Sequence, residues 1–528
     1  MSFRQIQRLL HVALQLPDYL RKPITVEQAK IDVARRIENR SDRFLHLAKT
    51  RIYDNHQSPY RKLLHWAGCE FHDLETAVRT KGIEKTLENL QSEGVYVAHE
   101  EFKGKVPICR NGLTVEASEK DFDNPSLLGS GIQSSTSGSR AKSVPVRRNL
   151  ESTAEEAANE LLLYETHGLS KAPLALWLPV LPGFAGVHNL LMNVKFLRPP
   201  ERWFSQLEPG LFKTSLTNGL AVEYILRCCR RLGFDVPRPE FISIHHAVKI
   251  ATWMERTKQK NGPCVLRTYT SSAVRLAQAA IENGLDISGN VIFTGAEPLT
   301  EARCRFIESA GVKVYSRYSA TETGLIGASC GRGSLVDDMH VYLDRIALVQ
   351  RPRKTRIEGY EVDSFLFSTL SNHAGKILLN TDIGDFGELT VQPCGCLFGQ
   401  CGMEAHVSKV RSYDKLTGEG GMTLLGSDLD NILNDLIGRV GGSPDDFQFW
   451  ESQDSRGLFK IVIAINPDIG DLNESQFIAD ILSRLDRTYL HGTLMSDIWK
   501  KADTLQIVRA HPKLTPRYKL LKIIKDPR

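Results

Sequence analysis

The chain has 528 residues, 67 basic and 62 acidic side chains, and a formal net charge of +5. This near-balance argues against nucleic acid as a partner and suits an anionic small substrate. At roughly 100–200 residues per domain the length implies about three domains or subdomains. The ten cysteines are scattered, so they read as reduced thiols of a cytoplasmic protein.

The first residues, Met1-Ser2-Phe3-Arg4-Gln5, lack the continuous apolar core of a signal peptide. Residues 1–120 are predicted to be a mostly helical N-terminal region. Leu9, Leu10, Val12 and Ala13 begin one amphipathic pattern, and Thr25 with Glu27 and Gln28 opens another helix toward Glu38. A helix begins near Ser152-Thr153, with Glu155 and Glu156 behind it. The apolar stretch Ala172–Met192 is broken by Pro179, Pro182, Gly183, Gly186, His188 and Asn189, and predicts a buried strand, turn and helix with no membrane span. Val291–Phe293 is a buried strand ending at Thr294-Gly295. Glu301–Ala310 has helical spacing and stops at Gly311, and Val312–Tyr315 is the next strand. This strand–helix–strand order predicts an α/β fold with ligand loops at the strand ends. Phe365–Leu370, Ile377–Leu379 and Gly387–Val391 are further predicted strands. Beyond them Phe447–Ile465, a helix at Glu474–Leu485 and a strand at Leu505–Val508 form a small α+β unit.

Three stretches carry the chemistry. The run from Leu128 to Lys142, which contains Ser134, Ser135, Thr136, Ser137, Gly138 and Ser139, is dense in glycine and hydroxyls. Its backbone N–H groups and Ser/Thr hydroxyls suit a polyphosphate, with Arg140 or Lys142 supplying charge. It is not a Walker A loop, because Ala141 precedes Lys142. A flexible surface linker is the competing reading. Gly295-Ala296-Glu297-Pro298 puts small residues at a strand end, where a flat adenine could lie. Tyr318-Ser319-Ala320-Thr321-Glu322 follows the next strand and sets a hydroxyl beside a carboxylate, a pairing that can hold a phosphate oxygen and its Mg²⁺.

In this order the motifs resemble the adenylate-forming superfamily, and within it the phenylacetate–CoA ligase-like branch, over about residues 55 to 528. The resemblance implies a large adenylate-forming domain, with mixed sheets flanked by helices, and a small mobile α+β C-terminal domain. The boundaries are 1–120 for the helical region, 121–410 for the core and 411–528 for the mobile domain. It also implies a phosphate loop at Ser134–Lys142, a ribose aspartate at Asp382 (with Asp385 as the competing candidate), a hinge arginine at Arg411 and a catalytic lysine at Lys519. Glu322 then holds Mg²⁺, with Thr321 beside it. The departures from the family pattern are a phosphate loop without the usual Gly-Thr-Thr-Gly run, where Thr136-Ser137-Gly138-Ser139 aligns in more than one register, Ser319 for a glycine, Tyr413 two residues after the hinge arginine and Tyr518 before the lysine. The implied reaction is ATP-dependent conversion of a carboxylic acid to acyl-AMP, then transfer to a thiol. Coenzyme A is the implied acceptor; a carrier protein or an amine, or an inactive nucleotide-binding regulatory protein, are the alternatives. Phe184, His188 and the residues before Tyr318 are the implied acyl pocket, for an aryl or medium apolar acid. The partners expected are that acid, coenzyme A or an acyl carrier protein, and a second copy of the chain.

Cys394-x-Cys396-x₄-Cys401 is spaced tightly enough to suggest Zn²⁺, with Cys330 and His340 available to complete four ligands. Buried reduced cysteines in a glycine-rich turn are the alternative. A thiolate-rich closed site would be structural, because it leaves no open position for chemistry.

Overall fold

Between residues 174 and 320 short apolar runs alternate with helices, and these runs line up in parallel. In the computed structural model they are β1 (Leu174–Trp177), β2 (Arg202–Ser205), β3 (Pro239–Phe241), β4 (Val265–Tyr269), β5 (Val291–Gly295) and β6 (Lys313–Ala320). Neighbours pair in the spatial order β6-β5-β4-β1-β2-β3, all parallel. Strands β1, β2, β4 and β5 are nearly all buried over their apolar runs, as a sheet covered on both faces requires, whereas β6 alternates buried and less buried positions. From β6 the sheet continues antiparallel through β7 (Gly324–Ala328), β8 (Met339–Val341), β9 (Ile346–Lys354), β10 (Glu361–Thr369), β11 (Thr381–Val391) and β12 (Ala405–Ser412), in the order β9-β10-β11-β12-β8-β7-β6. The result is one twelve-stranded mixed sheet. The structure describes residues 13–127, 132–135, 145–181, 184–206, 216–354, 361–412, 415–417, 423–442, 446–488, 499–513 and 523–527.

Several predicted boundaries hold. Thr25 caps α1 (Val26–Glu38), its hydroxyl accepting from the Gln28 N–H at 3.1 Å. The Ala172–Met192 stretch gives β1 and then α3 (Ala185–Lys195). Three expectations are corrected. The helix predicted from Ser152 is α2 (Leu150–Thr166), because Asn149 has the extended backbone of a cap and its side chain accepts from the Ser152 N–H at 2.8 Å. Ile377–Leu379 is not a strand. Leu378 N–H bonds a side-chain oxygen, Thr369 Oγ1, and the left-handed backbone of Asn380 (φ 44°) ends the extension. Helix α2 is buried nearly all round, charged positions included, since it packs against both α1 and α3. Helix α4 (Glu301–Glu308) stops two residues short of the expected end.

The C-terminal part forms its own sheet of β13 (Phe447–Gln453), β14 (Phe459–Ile465), β15 (Leu505–Arg509) and β16 (Ile523–Lys525), in the order β15-β14-β13-β16. Its core joins Leu433, Phe449, Ile463, Ile481 and Trp499. The turn between β13 and β14 docks on the large sheet's layer: Leu458 is wholly buried in one cluster with Leu299, Cys304 and Ile307. Arg303 of α4 fixes this docking. Its guanidinium donates to the Gly457 carbonyl, the Pro298 carbonyl (3.1 Å) and the Glu297 carboxylate (2.9 Å), and lies 4.3 Å over the Phe459 ring. Among the described residues no helix is long and apolar enough to cross a membrane.

Candidate functional site

The loops at the carboxyl ends of β5 and β6 are adjacent, where an open α/β sheet binds ligands. Gly295 closes β5; a Cβ there would lie 3.3 Å from the Arg317 carbonyl oxygen. Ala296 follows with φ 65°, a left-handed backbone that costs a non-glycine residue energy and that clusters at functional loops. The Glu297 side chain turns into the protein. Its carboxylate accepts from the Ser271 N–H (3.1 Å) and hydroxyl (2.7 Å) and pairs with Arg303. Glu297 and Pro298 thus shape the loop and join it to the C-terminal sheet through Arg303.

Strand β6 delivers the second motif. Its register slips between Tyr318 and Ser319, so the position where a glycine was expected is a bulge. The buried Tyr318 hydroxyl donates to Asp385 Oδ2 at 2.7 Å, and burial together with that carboxylate pushes the phenol well up. The Ser412 hydroxyl donates to the other Asp385 oxygen. Asp382 is elsewhere engaged: fully buried, it pairs with Arg353 at 3.0 Å and accepts from the Gly384 N–H at 2.8 Å. Of the two aspartates weighed for the ribose, Asp385 is the one beside the tyrosine motif. Arg411, next to Ser412 on β12, donates to its neighbour's carbonyl and lies 3.4 Å from Asp337.

Beneath the motif is a buried charge network that sequence reasoning missed. Thr321, Glu322 and Thr323 form a turn into Gly324, whose φ is 86°. A Cβ on Gly324 would collide with Glu156 Oε1, so only glycine fits there. That same oxygen accepts from the Leu325 N–H at 3.3 Å. Glu156 also pairs with Arg345 (3.0 Å) and Arg148 (3.2 Å). Arg148 ends the hairpin of Ile132–Ser135 and Pro145–Arg148 and donates to the Ala320 carbonyl at 3.3 Å. The hairpin's return strand is therefore tied to the tyrosine motif. Ser134 and Ser135 sit on its outgoing strand, opposite Val146 and Pro145. Thr136, Ser137, Gly138, Ser139 and Lys142, and Lys519 at the far end, lie outside the described residues. His188 Nε2 lies 2.6 Å from Glu156 Oε2, and its ring stacks on Phe184 with centroids 5.3 Å apart. Burial outweighs the carboxylate and lowers the His188 pKa.

Glu322, the expected Mg²⁺ ligand, has another partner. Lys103 Nζ lies 2.9 Å from Glu322 Oε1 and 3.1 Å from Glu119 Oε2. Among the described residues the one group of three or more metal-ligating side chains is the cysteine cluster, and Glu322 is not part of it. An ammonium stands where the cation was expected, and the residues present do not build a Mg²⁺ cage.

The cysteine cluster is assembled. Ligand atoms of Cys330, His340, Cys394 and Cys396 all lie within 4.8 Å of one another. Cys330 Sγ is 3.8 Å from Cys394 Sγ, which matches the edge of about 3.8 Å that a tetrahedron with Zn–S bonds of about 2.3 Å requires. His340 Nδ1 is 2.7 Å from the Met403 carbonyl, which takes its proton and leaves Nε2 facing Cys396 Sγ at 3.2 Å. The hydrogen bond from Cys330, aided by His340, pulls the Cys396 thiol down to about 3. Cys401 is not one of the four. It caps the short helix Leu397–Gln400, and its charged neighbours are Asp344 and Lys30.

No protein-family model and no curated protein sequence matches the chain. Among solved structures, 2-hydroxyisobutyryl-CoA ligase in complex with 2-HIB-AMP and CoA superposes over 93% of this chain and 90% of its own, with a TM-score of 0.53 and 14% identity. The chain has the fold of an adenylate-forming ligase. Weaker similarities are to an amide bond synthetase from Marinactinospora thermotolerans (11% identity, 88% and 92% coverage, TM-score 0.44) and to the adenylation domain AlmE of Vibrio cholerae with glycyl-adenosine-5′-phosphate (9%, 88% and 81%, TM-score 0.41). At these identities the likeness is one of fold.

Proposed function

We propose that this chain activates a carboxylic acid with ATP and passes the acyl group to a thiol, with coenzyme A as the acceptor. The observation that supports this reading is the junction of three separate motifs around Tyr318: the hairpin through Arg148 and Ala320, the Gly295–Pro298 loop on the neighbouring strand, and Asp385 on the Tyr318 hydroxyl. In the first step the acid's carboxylate oxygen attacks the α-phosphorus of ATP, and pyrophosphate leaves. Catalysis is then mostly positioning and charge stabilisation. The 128–142 loop holds the phosphates, the 295–298 backbone takes the adenine, Asp385 accepts from the ribose hydroxyls, and Lys519 meets the charge growing on the α-phosphate. In the second step a thiol sulfur attacks the acyl carbon and AMP leaves. Residues 411–528 form the unit that moves between the steps, with Arg411 at its start. Phe184 and His188 line the acyl side. The test is acid-dependent exchange of pyrophosphate into ATP across a panel of acids. Thioester formation with purified CoA alone separates CoA from a carrier-protein acceptor. ATP binding with no exchange for any acid overturns the enzymatic reading.

Asp385→Asn is expected to weaken nucleotide binding about tenfold, the value of one charge-assisted hydrogen bond of ~1.5 kcal/mol. Asp382→Asn should leave nucleotide affinity nearly unchanged and lower thermal stability instead, because its pair with Arg353 is buried. Equal nucleotide losses in both variants would remove the assignment to Asp385.

Cys330, His340, Cys394 and Cys396 fit a closed structural zinc site, and the purified protein should carry one zinc per chain by atomic absorption. Cys394→Ser should lose that zinc, whereas Cys401→Ser should keep it. Retention of metal by both variants would exclude the four-residue set.

A further inference from the structure

Helix α2 places Glu156 and Glu160 one turn apart on the stripe that faces the parallel strands. Glu156 meets His188, whose ring stacks on Phe184 at the acyl side. Glu160 meets two arginines, Arg317 of β6 and Arg267 of β4. Among the described residues it is the one carboxylate paired with either of them. Glu156 cannot help, because Arg345, Arg148 and His188 already share it. Two guanidinium groups therefore divide one carboxylate, with Glu160 wholly buried and the Arg267 and Arg317 side chains 4% and 8% exposed. Their hydrogen bonding is as incomplete as their charge. Arg267 Nη1 lies 3.3 Å from Glu160 Oε1 but is out of line for a hydrogen bond. Arg267 Nε, Arg267 Nη1 and Arg317 Nε are buried donors without a partner in the protein. Shielded, uncompensated positive charge of this kind is costly unless an anion joins it.

The sheet gives that anion a way in. Arg267 stands beside Phe293 in one row across β4 and β5, with its guanidinium 5.7 Å from the ring centroid. The next row toward the ligand loops holds Tyr269 and Gly295, and a Cβ on Gly295 would lie 3.9 Å from the Arg317 Cβ. Tyr269, Gly295 and Arg317 are half-buried, whereas Arg267 and Phe293 are buried. Gly295 has no side chain, so the middle of the outer row is open, and Arg267 lies two residues, about 7 Å, beneath it.

We propose that Arg267 and Arg317 select an acid with a second carboxylate, which seats on their unpartnered N–H groups while the first carboxylate meets ATP. Two guanidinium groups then face two carboxylates, and Glu160 acts as the positioning residue that holds the arginines. This rests on the reading of the chain as an acid-activating enzyme, and it replaces the apolar acid expected of the sequence with a short dicarboxylic acid. The full-length protein is titrated calorimetrically, with a non-hydrolysable ATP analogue present, with the linear diacids from succinate to suberate and with the monoacid of each length. At least one diacid should bind about tenfold or more tightly than its monoacid, the value of charge-assisted hydrogen bonds to a guanidinium. Arg267→Met should erase that preference and leave the monoacid bound as before, a split that a merely structural arginine would not produce. Arg267→Lys, which keeps the charge, should retain part of it. Thermal melts identify a variant that fails to fold, and Arg267→Gln then replaces the methionine variant. No diacid preference at any length, or a preference that survives Arg267→Met, overturns the proposal. A diacid preference in binding without pyrophosphate exchange for any acid leaves the arginine site standing and removes the adenylation reading. Exchange with monoacids and no diacid preference does the reverse.

Discussion

Glu156→Ala is expected to lower the free energy of unfolding by about 3–5 kcal/mol, the cost of removing one partner from a buried ion pair. The carboxylate is wholly buried and faces Arg345, Arg148 and His188, so its loss takes the carboxylate from Arg148 and leaves Arg345 with Glu155 alone. It also frees the Leu325 N–H and the turn carrying Thr321 and Glu322, which couples stability to the candidate site. A urea titration at neutral pH measures the difference through the midpoint and slope. Acid should erase it. Burial by itself raises the Glu156 pKa, but Arg345, then Arg148 and His188, hold it well below the usual carboxylate range. A carboxyl depressed on folding contributes stability that is complete above its unfolded pKa of about 4.3 and is lost as pH falls toward the folded value. The gap between the two proteins should therefore be full above about pH 5 and shrink below about pH 4. A loss under 1 kcal/mol at pH 7, or a gap unchanged at pH 3, would contradict the network's role.

Lys519→Ala is expected to slow adenylation ~10²–10³-fold, the effect of losing one preorganised donor to a developing anion. The lysine stands in Leu514-Thr515-Pro516-Arg517-Tyr518-Lys519, just before β16. A lysine delivered only in the first step should affect pyrophosphate exchange strongly and hydrolysis or thiolysis of pre-formed acyl-AMP little. Assaying both half-reactions with one accepted acid gives the comparison. Exchange at the unmodified rate would return Lys519 to the surface lysines around it.

What was legible in the sequence was local. Val291–Phe293 read as a buried strand because three consecutive positions are apolar, and Thr25 read as a cap because its hydroxyl has one short-range use. Order along the chain also placed Gly295–Pro298 and Tyr318–Glu322 on neighbouring strand ends. What was hidden depends on distant pairing. Nothing local distinguishes Asp382 from Asp385; the choice follows from Arg353, which lies across the β9–β10–β11 face and occupies one of them. Glu156 read as the acidic start of a helix because carboxylates there are usually solvated, and only the packing of α2 between α1 and α3 turns it inward. Cys401 joined the proposed zinc set on spacing alone, while the helical turn Leu397–Gln400 carries it away from the other thiols. Lys103 had no local signal at all.

The docked turn between β13 and β14 has a consequence for how motion in this protein could be watched. Any swing of the C-terminal sheet must draw Leu458 out of its cluster, which costs roughly 1.5–3 kcal/mol for one large apolar side chain. It must also separate the Gly457 carbonyl from Arg303 while Arg303 keeps Glu297. Deuterium uptake at the amides of residues 456–458 would therefore track excursions of the sheet, and a ligand that tightens the 295–298 loop would be seen there as protection, far along the chain from where it binds.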